Sequence, residues 1–188
     1  MNKDVEEVLI SEEEIKARIK VIAKEIRKDY LKKFPLLVCI LRGAFVFLAD
    51  LVREIDIPLS VDFMAISSYG GHVDSSGQVK ILKDLDTPIE GRNVIIIEDI
   101  VDTGLTMDAV TRLLMTRNPE SIRICTLLDK VERRIIDIKV DYYGFKIPNK
   151  FVIGYGLDYE EKYRNLPYIG VLKKEVYSYK ENNGGLNK

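Results

Sequence analysis

Several things are scarce in this sequence. It holds two cysteines in 188 residues, Cys39 and Cys125, and both lie in apolar runs. They read as small buried hydrophobes rather than a disulfide or a metal pair. The one histidine, His72, stands in a Gly- and Ser-rich stretch, where it reads as solvated and not catalytic. The formal net charge is −1, so no bulk attraction draws the chain to nucleic acid or to an anionic membrane. No apolar run approaches a membrane-spanning length, and the N-terminus is too acidic for a signal peptide. The expectation is a cytoplasmic protein without internal repeats. What is present, 46% hydrophobic and 31% charged residues, suits one ordinary globular domain.

Taken in order, Ser11 with Glu14 three positions on predicts a capping box and a helix start. Ile15, Ile19, Ile22, Ala23 and Ile26 then form one apolar stripe on an otherwise charged helix. Leu36 to Leu41 reads as a buried strand, bounded by Pro35 and by Arg42-Gly43. A second helix is predicted from about Ala44 to Glu54, apolar on nearly all sides and therefore well buried. Leu59 to Ser67 is a further strand. Ser67 to Gly77 reads as a long loop, and Val79 to Leu82 as its return strand. Asn118-Pro119 stops a helix, Ser121 to Leu128 is a strand, and Val140 to Phe145 and Phe151 to Tyr155 are two shorter ones. Residues 182–188 read as a frayed tail. The alternation of strands and helices predicts an α/β fold with a central, mostly parallel sheet flanked by helices.

The stretch from Asn93 to Thr106 organises the chain. A buried parallel strand, Val94 to Ile97, runs into the adjacent carboxylates Glu98 and Asp99. A turn of Asp102, Thr103, Gly104, Leu105 and Thr106 then opens a helix with Met107, Val110, Leu113 and Leu114 on one face. Ligands of α/β sheets sit at such carboxyl ends of strands. The unpaired amides of the turn, the glycine and the two hydroxyls suit a phosphate monoester. Carboxylates only accept hydrogen bonds, so Glu98 and Asp99 suit a vicinal diol or a divalent cation. A sugar phosphate with a free diol satisfies both halves. A bare magnesium site and a plain helix cap at Asp102 stay open on this pattern alone.

The segment Val94 to Thr106 resembles the ribose-5-phosphate signature of the type I phosphoribosyltransferases, and its wording from Glu98 to Met107 is similar to the hypoxanthine-guanine branch. Leu41-Arg42-Gly43 resembles that family's pyrophosphate loop, where a non-proline cis peptide is often found. Ser68-Tyr69 resembles the start of its mobile catalytic loop. Leu127 to Lys130, Pro148 to Tyr159 and Arg164 resemble its purine-site segments. The resemblance runs in order from about Ser11 to Val171. It implies one phosphoribosyltransferase domain over residues 1–181, with a small hood built from the N-terminal residues and about 145–175.

The implied reaction transfers the phosphoribosyl group of 5-phosphoribosyl pyrophosphate (PRPP) to N9 of a purine with magnesium, giving IMP or GMP and pyrophosphate. By the resemblance, Asp102 to Thr106 cradle the 5′-phosphate. Glu98 and Asp99 take the ribose hydroxyls and the metal, and Asp158 joins a second magnesium. Asp102 is the candidate acid or base at purine N7. Arg42, Gly43, Ser68, Tyr69 and Arg164 would take pyrophosphate. Lys130 would face the purine 6-position, Phe151 would stack on the base, and the backbone around Val152 and Asp158 would read its other edge. Lysine only donates hydrogen bonds, so Lys130 accepts hypoxanthine, guanine or xanthine and disfavours the amino group of adenine. By the resemblance, the loop from Ser68 to Gly77 would close over the site as a lid and exclude water from the sugar donor.

Two departures from the family pattern stand out. His72-Val73-Asp74 replaces the usual small, hydroxylated residues at the loop centre, and Val131 follows Lys130 where many bacterial relatives have proline. Rival readings are a phosphoribosyltransferase for another base and a non-enzymatic regulator that binds PRPP or nucleotide. The basic nucleic-acid face expected of such a regulator is not evident. The resemblance also implies a homodimer or homotetramer.

Overall fold

The computed structural model describes residues 3–68 and 79–181. Tyr69 and the predicted loop centre His72-Val73-Asp74 lie outside the described residues, as does the predicted tail. Among the described residues no helix is long and apolar enough to cross a membrane.

The first helix, α1 (Glu12–Tyr30), starts at the predicted cap. Ser11 Oγ accepts from the Glu14 amide at 3.2 Å, and the Ser11 amide donates to Glu14 Oε2 at 2.8 Å. This reciprocal pair satisfies two of the amides that every helix start leaves orphaned. The isoleucine stripe is buried, with Ile15, Ile22 and Ile26 fully so.

A six-stranded sheet forms the centre. It comprises β2 (Leu36–Leu41), β3 (Ser60–Ser68), β4 (Val79–Lys83), β5 (Asn93–Val101), β6 (Ser121–Asp129) and β7 (Tyr142–Lys146), in the order β4-β3-β2-β5-β6-β7. All neighbours are parallel except β3 and β4, which pair antiparallel. β2 and the Val94 to Ile97 stretch of β5 are apolar throughout because both their faces are covered. Leu37, Cys39, Ile95 and Ile97 join α1 and α2 (Phe45–Glu54) in one core. Leu36, Val38, Val94 and Ile96 face the other way, toward α3 (Leu105–Met115). Both cysteines are free and fully buried, and burial pushes the Cys39 thiol up to about 12.

A second sheet, ordered β1-β9-β8, joins β1 (Val5–Ile10), β8 (Val152–Ile153) and β9 (Ile169–Leu172), all antiparallel. A last helix, α4 (Lys174–Glu181), follows β9.

Several expectations need correction. α2 is buried on one face only, through Phe47, Leu48 and Leu51, while Phe45 is 45% exposed. The Phe151-to-Tyr155 strand is only Val152–Ile153, because Gly154, Tyr155 and Gly156 take φ of 98°, 50° and 100° and turn the chain. The predicted strand from Val140 begins at Tyr142. The central strand does not stop at Ile97: it continues to Val101, so Glu98 and Asp99 lie inside it.

Candidate active site

That extension of β5 creates the site. β2 pairs with β5 only as far as Cys39 opposite Ile97. Beyond that point β5 keeps its other partner, with Glu98 opposite Thr126, Ile100 opposite Leu128 and Val101 opposite Asp129. The free edge of β5, the Leu41–Gly43 turn and the 102–106 turn together line a cleft of about 290 Å³.

Glu98 and Asp99 sit in its floor, 9% and 8% exposed. Their hydrogen bonds run back to their own strand: Asp99 Oδ1 accepts from the Ile100 amide at 2.7 Å and Glu98 Oε1 from the Asp99 amide at 3.3 Å. Burial pushes both carboxyls above their ordinary values, and the charge of Asp99 raises Glu98 further. A hydrogen bond from Glu98, the strand amides and the charge of Arg164 act on Asp99 in the opposite sense. Two adjacent carboxylates out of water are costly unless something cationic or rich in hydroxyls arrives. Asp99 also explains Gly43, since a Cβ there would lie 1.5 Å from Asp99 Oδ2. The Leu41–Arg42 peptide beside it is cis.

The turn after β5 holds Asp102, Thr103 and Gly104. Gly104 has φ 86°, and the first intrahelical bond of α3 is Asp108 amide to Gly104 carbonyl at 2.9 Å. The amides of Leu105, Thr106 and Met107 precede that bond and point out of the helix start. Thr103 Oγ1 accepts from Leu105 at 3.4 Å. The turn is latched from behind, because the amides of Ile135 and Ile136 donate to the Thr103 carbonyl at 2.9 and 3.2 Å. A side chain at Gly104 would meet the Ile136 carbonyl at 2.8 Å. Asp102 Oδ2 lies 3.3 Å from Arg133 Nη1, whereas its Oδ1 is buried with no hydrogen-bond partner among the described residues.

Lys130 follows β6, and its amide donates to the Val101 carbonyl at 2.9 Å. This bond ties the ends of β5 and β6 and sets Lys130 beside Asp102. Lys130 is 7% exposed. Burial lowers its ammonium below the ordinary lysine range, the charge of Asp102 opposes that, and Arg133 adds to it. Arg134 pairs with Asp129 directly below.

The other predicted residues come from the segment after β8. Gly156 packs on the Arg42–Gly43 turn so closely that a Cβ there would lie 2.1 Å from the Gly43 carbonyl. Arg164 donates to the Gly156 carbonyl at 2.8 Å and lies 2.8 Å from Asp158 Oδ1. Asp158 Oδ2 accepts from the Glu161 amide at 2.9 Å. Glu161 Oε2 lies 3.1 Å from Arg42 Nη1 and 3.4 Å from Arg164 Nη2. One carboxylate thus holds both predicted pyrophosphate arginines. Val152 lies on the second sheet with Phe151 immediately before it, and neither lines the cleft. Ser68 ends β3, and Tyr69 lies outside the described residues.

Sequence reasoning misses Arg133 and Glu161. The signal for Arg133 is its place in a basic pair shortly after Lys130. Nothing local marks Glu161, whose φ of 61° brings it back over the Arg42 turn. Among the described residues no three His, Cys, Asp or Glu side chains gather as a metal site. Magnesium, however, commonly takes one or two carboxylates and completes its shell with water and phosphate oxygens. The cleft carboxylates Glu98 and Asp99 fit that donor set.

Comparison with known proteins agrees with this geometry. The phosphoribosyl transferase domain family matches residues 5–160. The chain is 52% identical over 178 residues to a hypoxanthine-guanine phosphoribosyltransferase of Streptococcus thermophilus, covering 95% of this chain and 99% of that one. It is 55% identical over 177 residues to the enzyme of that name from Bacillus subtilis, covering 94% and 98%. Among solved structures, a hypoxanthine phosphoribosyltransferase from Staphylococcus aureus superposes with a TM-score of 0.90 at 52% identity, covering 93% of this chain and 95% of that one. The Trypanosoma cruzi enzyme in complex with its product IMP gives 0.89 at 44% identity, covering 94% and 99%.

Proposed function

The chain belongs to the phosphoribosyl transferase domain family, on its hypoxanthine-guanine branch, and from that premise we propose how its residues make a nucleotide from an oxopurine and PRPP. It is a purine salvage transferase. N9 of the base attacks C1 of the ribose as the bond from C1 to the pyrophosphate oxygen breaks. The proton on N7 passes to Asp102, and pyrophosphate leaves. Most of the catalytic task is positioning three groups in line.

One observation supports this reading best. The bond from the Lys130 amide to the Val101 carbonyl brings the backbone of Lys130 to the end of β5, next to Asp102 in sequence, and the Asp102 charge acts on the Lys130 ammonium. An oxopurine presents the complement on one edge, with O6 accepting and N7–H donating. Adenine presents an amino group where Lys130 needs an acceptor. Asp102 Oδ1, buried and without a hydrogen-bond partner among the described residues, is the atom that would take the proton. The amides and hydroxyls of 103–106 hold the 5′-phosphate. Arg42 and Arg164 bind the leaving pyrophosphate, exchanging Glu161 for it. Ser68 and Tyr69 would contact the same group.

Glu98 and Asp99 would hold the ribose hydroxyls and magnesium, with Asp158 available to a second ion if Arg164 releases it. Bound there, magnesium would neutralise charge developing on pyrophosphate. Phe151 stacks on the base, and the backbone at Val152 and Asp158 reads its far edge. A cytoplasmic dimer or tetramer completes the proposal.

The test is a panel of bases with purified protein, PRPP and magnesium, scored by pyrophosphate release. Hypoxanthine, guanine or xanthine should exceed adenine and uracil by about 100-fold or more. No release with any oxopurine overturns the assignment. A best rate with adenine or uracil overturns the role of Lys130.

A further inference from the structure

Phe151 is placed by elements that have no part in the cleft. It stands immediately before β8, where its carbonyl accepts from the Leu172 amide at 2.9 Å. Side chains alternate along a strand. Val152 therefore turns inward and joins the main core, while Ile153 turns the other way into a patch with Val5 and Leu172. Phe151 shares the Ile153 face and is 40% exposed. Its aromatic partners lie on that side: the Tyr177 ring stacks on it at 5.0 Å between centroids and 21° between planes, and Tyr159 meets it edge-on at 5.6 Å and 86°.

Tyr177 belongs to α4, and α4 is tied down. The Lys173 amide just before it donates to the Asp4 carbonyl at 3.0 Å, and Val176 and Tyr177 pack on the patch of Val5, Ile153 and Leu172. One end of the Phe151–Tyr177 stack is thus anchored to the second sheet, and the exposed part of Phe151 is the other end. A phenyl ring with an open side rotates about its χ angles unless a neighbour holds it.

We propose that Tyr177 is a positioning residue for the purine: by stacking on Phe151 it holds that ring in the plane the base needs, so that α4 serves the base site without touching the base. The proposal rests on the reading of Phe151 as the base's stacking platform. Its signature is selectivity among ligands. Loss of Tyr177 should weaken ligands that carry the base and leave PRPP alone, because PRPP has no ring to stack.

The experiment compares the full chain with Tyr177→Ala, Tyr177→Phe, Phe151→Ala and the Phe151→Ala/Tyr177→Ala double variant. IMP binding is measured by calorimetry, KM for hypoxanthine and for PRPP by steady-state kinetics, and Tm by thermal melting. Tyr177→Ala should weaken IMP and raise the hypoxanthine KM about three- to tenfold, the range expected of one aromatic pair. The PRPP KM and kcat should stay within about twofold. Tyr177→Phe keeps the ring and should restore wild-type values. In the Phe151→Ala background, loss of Tyr177 should have no further effect. Should Tyr177→Ala not fold, Tyr177→Leu preserves the apolar contact with the Val5 patch while removing the ring, and the same changes are expected.

A folded Tyr177 variant with unchanged or tighter IMP binding overturns the proposal. So does a loss that adds fully to that of Phe151→Ala, or one that falls equally on PRPP. Phe151→Ala with no effect on IMP would instead overturn the stacking role of Phe151, a separate failure.

Discussion

Two strands of the same sheet, β3 and β5 on either side of β2, each bury carboxylate in opposite circumstances. Asp62 in β3 is 4% exposed; Glu98 and Asp99 in β5 are 9% and 8% exposed. Burial by itself pushes all three up. Asp62 nevertheless ends below its ordinary value, because it accepts from the amides of Phe63 at 2.7 Å, Thr87 at 2.8 Å and Asp86 at 3.0 Å. It folds the turn after β4 and is finished. Glu98 and Asp99 have their own strand amides and each other, and they end above their ordinary values. Low exposure alone therefore does not distinguish a structural carboxylate from a binding one; the depth of burial and the supply of donors together do. This pair, pushed toward its neutral form, is held where β2 has left β5, facing a cleft that a polyhydroxylated, metal-bound ligand would fill.

Asp102, in the turn just after β5, is a third carboxylate at this cleft, and its Oδ1 is buried without a partner among the described residues. If missing donors mark a functional group, Asp102→Asn should lower kcat by about 100-fold or more, the range for a removed acid or base. The PRPP KM should move far less. Equal losses in kcat and PRPP binding would make Asp102 a cap or ligand rather than a proton acceptor.

Asp62→Asn should produce the reverse pattern. The amide oxygen cannot replace both carboxylate oxygens, so at least one buried amide loses its acceptor. The expected cost is about 2 kcal/mol, or a fall in Tm of about 4–8 °C, with turnover at moderate temperature unchanged. The sign follows from the depressed carboxyl. Its contribution is present above its ordinary value of 3.8 and is lost as pH falls through the lower folded value. The gap in Tm between wild type and variant should therefore close in strong acid. A gap that persists there would mean that packing, and not charge, carries Asp62.

Much of this contrast is legible in the amino-acid sequence. The capping box at Ser11, the strand Leu36 to Leu41 and the grouping of Glu98, Asp99 and Asp102 follow from local pattern, and local pattern is what sequence records well. The continuation of β5 past Ile97 does not, because two acids in succession look like a strand's end, and only pairing with Thr126 and Leu128 keeps them extended. β1 and β9 escape a sequence reading for a similar reason. Val5–Ile10 has two glutamates in its middle and Ile169–Leu172 is four residues long, so each is a strand only because the other lies beside it. Glu161 and Tyr177 act across the fold, on Arg42 and on Phe151, at separations no local period encodes.

The smallest effect makes the finest test. Glu98 carries a raised carboxyl, so the stability it contributes is complete below its ordinary value of 4.5 and is lost as pH rises through the higher folded value. Glutamine has the shape of the protonated acid and cannot ionise. In protein free of substrate and metal, Glu98→Gln should melt with the wild type near about pH 4, where both are neutral at this position. Toward about pH 8 the wild type must either charge a buried site beside Asp99 or hold a proton against the solvent. The variant should then melt higher by about 3 °C, equivalent to about 1 kcal/mol for a chain of this size. It should also bind PRPP more weakly, since a neutral amide is a poor ligand for a cation. Stability gained and binding lost in one substitution is what a carboxylate kept for a ligand predicts. A Glu98→Gln variant that melts lower than wild type across the whole pH range would place Glu98 with Asp62, among the carboxylates that the fold itself requires.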